Sequence, residues 1–438
     1  MKTHLFLAAI AAILSVELPA YAADYYVSAS TGKGKSASKE EPAKDLGNIL
    51  SKLLPGDTVH IAGGTYTGRG DNGSDVITVP VSLIGGYSDD FTTRDPWGEH
   101  RTIFGGDNLS ENFDGGPRVM IDLMRYREKE MPPILVDGLI FDESSRNRYV
   151  SKNKLEIVRM ANPKTGENPT PSQGSLVIRA SKTGNFDPGA HWDITVTNCA
   201  ILNSAPTQGV LSVAGHKGTK VKILNNLLIN NTGTAILAGT KYVGEEEPPS
   251  FEIANNTVLF TWKYEPGAQS YSGNSFKADG NTSVNLRNNV FAFADRVGIH
   301  NAAKANLLLK ENLILGNFDT DYLEFDTRID LADIEDEAEY LNENSTDNVS
   351  EEISIPVSGD WLKLYGSREL IDRTAREADI EEQETIVNEF RRILGLPLQA
   401  EVTTEPKTPV WLPSIPLEEA LAAGDKPYNG KYGCARPQ

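Results

Sequence analysis

Between residues 196 and 317 a short apolar run with an asparagine corner returns five times. The copies read VTNCAILN (196–203), ILNNLLIN (223–230), IANNTVLF (253–260), LRNNVFAF (286–293) and LKENLILG (309–316). Cys199, Asn226, Asn256, Asn289 and Asn312 share one equivalent place, with separations of 27, 30, 33 and 23 residues. No copy is long enough to bury its own apolar face, so the pattern predicts β-coils stacked on one another. Stacking places like residues about 4.8 Å apart. The equivalent asparagines then form a ladder inside the stack, each amide satisfied by its neighbours above and below.

Upstream, brief β-rich runs at 76–80, 81–84, 102–104, 119–123 and 134–141 are separated by Gly, Pro and Asp, as coils with tight corners require. Gly138 falls where the later copies place Asn. Residues 42–54 carry Leu46, Ile49, Leu50, Leu53 and Leu54 on one helical stripe, stopped by Pro55-Gly56. A helix there would cap the open end of the first coil. Two polar inserts, 142–174 and 262–273, leave the stack at corners as loops. After Asn317 the pattern ends. Residues 319–350 read as irregular and acidic, 368–394 as a helix stopped by Gly395, and 417–423 as a second short helix stopped by Gly424.

Three phrases carry a family resemblance: GDTVHIAGGTYTG (56–68), SLIGGYSDDFTTRDPWGEHRTIFGGDN (82–108) and ILVDGLIFDES (134–144). Together with the repeats they resemble secreted right-handed parallel β-helix proteins of the pectate-lyase-like superfold, and are similar to its bacterial surface and adhesin-like branch. The resemblance covers about residues 24–318. It implies an all-β fold, a right-handed parallel β-helix (solenoid) with an amino-terminal capping helix and an acidic, partly helical tail at 319–438. The superfold carries lyases, hydrolases, epimerases and binding proteins alike, so fold alone selects none of them.

Composition adds a compartment. Lys2, the apolar run LFLAAIAAILSV and Ala20-Tyr21-Ala22 read as a cleavable export signal over residues 1–22, with the stack filling 23–318. The expected location is therefore secreted or periplasmic. No later stretch reaches the roughly 20 apolar residues of a membrane span. Cys199 and Cys434 either staple the tail to the coil or remain two free thiols, with Cys199 standing in for a ladder asparagine. The net charge of −19 is concentrated: residues 319–395 hold 23 Asp and Glu against 7 Lys and Arg. No basic stripe suits nucleic acid. The expected partner is a polysaccharide or surface glycan, and the chain reads as a monomer.

For chemistry, the segments TAILAG (234–239), NSFKAD (274–279) and VGIHNA (297–302) align so that Ile236, Phe276 and Ile299 point inward. Leu237, Lys277 and His300 then point outward, Lys277 and His300 one coil apart, with Asp279 and Arg296 nearby. β-Helix enzymes that eliminate across uronic acids need a base and a group that neutralises the sugar carboxylate. That quartet is the candidate set for a lyase or epimerase. Hydrolysis would call for clustered aspartates and a Gly-His-Gly-like phrase, from which Gly298-Ile299-His300 departs. Trp262, Tyr264 and Tyr271 in one insert, and Phe186 with Trp192 in another loop, are candidate rings for stacking on sugars. Asp319, Asp321, Glu324 and Asp326 leave calcium open as a cofactor, without a recognisable calcium-loop spacing. The leading expectation is a carbohydrate-contacting or adhesin-like protein, with the lyase or epimerase as its alternative.

Overall fold

A computed structural model describes residues 22–34, 36–69, 73–105, 116–126, 131–144, 174–180, 191–206, 208–244, 246–262, 272–358 and 414–437, with Trp361, Arg392, Gly395 and Leu398. The fold is a parallel β-helix. Among the described residues its strands fall into two nine-stranded sheets and one eight-stranded sheet, in which strands pair with their counterparts in neighbouring coils. The first sheet runs from Asp24–Val27 to Asn306–Lys310, the second from Gly64–Thr67 to Leu313–Leu315 and the third from Asp75–Ile77 to Thr320–Glu324. Pairing is parallel throughout, except that Thr327–Ile329 turns back antiparallel on Thr320–Glu324 at the far end.

Register puts like on like. Val59, Leu83, Val136, Val196, Ile223, Ile253, Leu286 and Leu309 form one inward column of the first sheet, all fully buried. In the second sheet Tyr66, Phe104 and Phe141 stack at centroid spacings of 5.6 Å. The two sheets nevertheless read differently. First-sheet strands such as Asp193–Thr197 and Ser283–Arg287 alternate buried and half-exposed residues, as expected when one face meets water. Second-sheet strands such as Thr257–Trp262 and Leu227–Thr232 are buried at every position. Their outer face is covered by later chain: Ile415, Leu421, Tyr428, Tyr432 and Cys434 join Leu227, Leu259, Val290 and Leu313 in a second apolar cluster.

The ladder occupies the corner between the first two sheets. Backbone N–H groups of Cys199, Asn226, Asn256 and Asn289 each donate to the side-chain oxygen of the next asparagine, at 2.9–3.1 Å. Each asparagine Nδ2 donates back to a carbonyl of the preceding coil, as from Asn256 to Ile223 at 2.9 Å. The ladder continues one step beyond the repeats. Asn348 accepts from the Asn312 N–H and Nδ2 at 3.2 and 2.9 Å, while bridges at Leu341, Thr346 and Val349 add a partial further coil. The residue preceding each ladder position is left-handed, with φ of 54–55° at Asn198, Asn225, Asn255 and Asn288. Asparagine tolerates that conformation, which turns the chain between sheets. Gly138 follows Asp137, the register partner of Thr197, as Asn198 follows Thr197, and it also has positive φ, so it matches this outer corner and not the ladder, where Leu139 stands.

The amino-terminal cap is shorter than predicted. Only Leu46–Asn48 is helical, as one 3₁₀ turn, with the Asn48 N–H donating to Asp45 Oδ1. Gly47 weakens helix continuation, and the Arg69 side chain lies where a Cβ at Gly47 would sit. Leu46, Ile49 and Leu53 still bury against the first coil, while Leu54 is half exposed. Inside that end, Arg118 and Asp75 form a buried ion pair at 2.7 Å, the guanidinium lying 4.9 Å over the Phe104 ring. Among the described residues no helix is long and apolar enough to cross a membrane. The export segment, Tyr264, Tyr271, Phe186 and nearly all of the 368–394 helix lie outside the described residues.

Candidate functional site

The outer face of the third sheet carries two adjacent columns of side chains. One reads Ser212, Leu237, Lys277, His300, Leu323 along successive strands. The other reads Asp122, Arg179, Ala214, Gly239, Asp279. Lys277 and His300 are therefore register partners on neighbouring strands, as the sequence alignment places them.

Their environments differ. The hairpin that ends the third sheet folds its turn over His300, so the imidazole is buried and its Nε2 lies 3.2 Å from the Phe325 carbonyl. A carbonyl only accepts, so Nε2 holds the proton and Nδ1 is an acceptor. Nδ1 is buried with no hydrogen-bond partner among the described residues. Burial first, then the charges of Arg296 and Lys277, push the His300 pKa down to about 3, so the ring is neutral near pH 7. Arg296 donates to Asn274 Oδ1 at 3.1 Å and lies 3.8 Å from Asp319. Lys277 and Asp279 remain half exposed, with no side-chain ion pair among the described residues.

Between Arg179 and Asp279 the second column drops to Ala214 and Gly239. The result is a groove of about 370 Å³ lined by Arg179, Ser212, Leu237, Gly239, Lys241 and Asp279, with Met124 and Gln208 at its edges. Its charged ends are three strand spacings apart, about 14 Å. Gly239 is extended, and a Cβ there would meet only Asp279 atoms at 3.4 Å and beyond. Neither the backbone nor packing requires a glycine at that position. A glycine inside a strand weakens it unless something approaches closely.

Of the predicted quartet, only Asp279 lines this groove. Lys277 stands beside it, and Arg296 and His300 lie farther on, under the hairpin. Arg179, Ala214 and Gly239 were missed. The signal for Gly239 was present, since TAILAG sets it against Asp279 of NSFKAD. Arg179 lies on an earlier coil where no repeat phrase gives the register.

The expectation of exposed stacking rings is corrected for both described tryptophans. Trp262 is 6% exposed, its Nε1 donating to Asn230 Oδ1 at 3.0 Å within the covered outer face of the second sheet. Trp192 is 3% exposed and packs against Tyr126 with ring centroids 5.5 Å apart. Neither offers a free ring face. Three of the four acidic residues are likewise engaged within the protein, whereas Asp326 is exposed. Asp319 pairs with Arg328 at 2.6 Å, Asp321 accepts from Asn317, and Glu324 accepts the N–H groups of Glu339 and Tyr340. Among the described residues no group of three or more His, Cys, Asp or Glu is gathered for a metal ion.

The two cysteines are free. Cys199 points into the coil interior, whereas Cys434 lies in the cover over the second sheet, so they belong to different clusters. The staple reading is thereby corrected. Comparison with protein-family models gives no match to the chain, and comparison with curated proteins gives none either.

Proposed function

We propose that this is an exported, carbohydrate-contacting protein that seats a glycan in the groove between Arg179 and Asp279. The observation that carries the reading is the bare floor at Ala214 and Gly239, where a strand position free to hold a larger side chain holds none. A shallow, partly apolar floor with Leu237 alongside suits the flat face of a sugar ring. Arg179, Lys241, Ser212, Gln208 and Asp279 supply donors and acceptors for its hydroxyls and charged substituents. The leader at residues 1–22 supports export.

Titration calorimetry of the mature chain against neutral, uronic-acid and amino-sugar polysaccharides tests this, with Gly239→Leu as the blocking variant. Binding that Gly239→Leu abolishes supports the reading. No binding across the panel, or binding indifferent to Gly239→Leu, overturns it.

The alternative, elimination or epimerisation at C5 of a uronic acid, is favoured by one observation, the pairing of Lys277 with a neutral His300. Lys277 would be the base and His300 an acceptor behind it. Ultraviolet absorbance from an unsaturated product, lost in Lys277→Ala, would support that chemistry. Ligand returned unchanged would favour simple binding.

A further inference from the structure

The segment 429–436 runs lengthwise down the corner between the first and second sheets, touching one coil after another. Arg436 pairs with Asp95 at 3.0 Å, on the loop whose Trp97 Nε1 donates to the Asn198 carbonyl. Ala435 exchanges two hydrogen bonds with the Asn225 side chain, at 2.8 and 3.0 Å. The Cys434 N–H donates to Thr257 Oγ1 at 2.9 Å and the Gly433 N–H to the Asn288 carbonyl at 2.7 Å. Lys431 reaches Glu311 at 3.1 Å, and Asn429 reaches Glu351 at 2.9 Å. Asn203, at the other corner of its coil, holds the same strap farther upstream, accepting from the Ile415 N–H and donating to the Ile415 carbonyl.

We propose that this strap is a longitudinal clasp that makes unfolding of the stack all-or-none. In a solenoid each coil meets only its neighbours, so stability is close to a nearest-neighbour sum and the ends can open without the middle. A single segment bonded to the coils of Asn225, Thr257, Asn288 and Glu311 breaks that rule. Opening any one of these coils removes a strap contact and loosens the segment from the rest. The exposed ion pairs at its two ends contribute little. Coupling rests on the backbone-directed bonds at Asn225, Thr257 and Asn288, partly buried at the two asparagines and fully buried at Thr257, and on Tyr428, Tyr432 and Cys434 against the apolar outer face.

The two free thiols report on the two halves of this device. Cys434 is in the strap and Cys199 in the coil interior, both fully buried. The full chain is exposed to a thiol reagent across a urea series, and the labelled cysteine is identified by mass spectrometry. In the wild-type chain both thiols label at one rate through a single transition. Asn225→Gly keeps the left-handed corner but deletes both bonds to Ala435. It makes Cys434 label at least tenfold faster than Cys199 and splits the transition in two. Asn255→Gly, the matching corner one coil on, has no side-chain bond to the strap among the described residues and leaves the rates equal. Gly433→Ala acts from the strap side, where φ is +86° and a Cβ would collide with Thr257 Oγ1. It reproduces the Asn225→Gly behaviour, and decides the matter if that variant does not fold. Cys434 labelling tenfold ahead of Cys199 in the wild-type chain, or identical behaviour of Asn225→Gly and Asn255→Gly, overturns the proposal.

Discussion

Lys277 and His300 sit opposite each other on adjacent parallel strands, yet His300 is buried while Lys277 is half exposed. The difference comes from the hairpin whose turn residue, Phe325, takes a bond from the imidazole.

This burial predicts an acid dependence. The folded state holds the His300 pKa down to about 3, whereas an unfolded histidine titrates at about 6.5. The stability linked to neutral His300 is present above about pH 6.5 and is lost as pH falls from there toward about 3, because only the unfolded chain binds the proton. Between pH 7 and pH 5 the loss is about 2 kcal/mol. Urea unfolding of wild type and His300→Gln at both pH values should show the variant losing about that much less; equal losses would contradict the assignment.

Asn256 receives bonds from the Asn226 N–H and Nδ2 and donates to the Ile223 and Ala254 carbonyls. Asn256→Ala strands these groups in a dry interior, and each buried orphan costs about 1–3 kcal/mol. A loss of about 3 kcal/mol or more in urea unfolding is expected. A loss below about 1 kcal/mol would mean that water or a shifted neighbour repairs the gap.

Two glycines of one coil, Gly233 just before the strand Thr234–Thr240 and Gly239 within it, should respond with opposite signs. Gly239 is extended and open above, so Gly239→Ala should stabilise by about 0.5 kcal/mol through the unfolded state. Gly233 has φ of +79°, and a Cβ there would strike the Gln208 carbonyl. Gly233→Ala should destabilise by more than about 1 kcal/mol. Thermal melts of the pair check this directly, and equal effects would remove the case for a floor kept bare.

Asp75→Asn would leave Arg118 charged inside the first coils without its carboxylate, though Arg118 still donates to the Tyr66 carbonyl at 2.8 Å. Breaking one side of a buried pair costs about 3 kcal/mol. Replacing both members together, as Asp75→Leu with Arg118→Met, should recover part of the loss. A double variant weaker than Asp75→Asn would show that the pair does more than neutralise itself.

The strands and their stacking were largely legible in the sequence, and so was one feature beyond them. Strands such as Val290–Ala292 and Leu313–Leu315 are apolar on both faces, whereas Lys220–Leu224 and Ser250–Ala254 alternate. Unbroken apolarity signals a covered face. It should have placed Trp262 under that cover and not in an exposed loop. Asn348 was harder to see, because the chain around it lacks the apolar strand that marks the other ladder positions.

What the sequence determined by itself was the stack: its coils, its inward columns and the place of each ladder asparagine within the repeats. Those features depend on neighbouring coils that carry nearly the same residues, so a repeat along the chain is already a statement about contact in space. The tertiary structure alone decided which later segments cover the outer surfaces. Whether His300 or Cys434 meets water depends on segments that belong to no repeat, and whose resting place follows from packing over the finished coils.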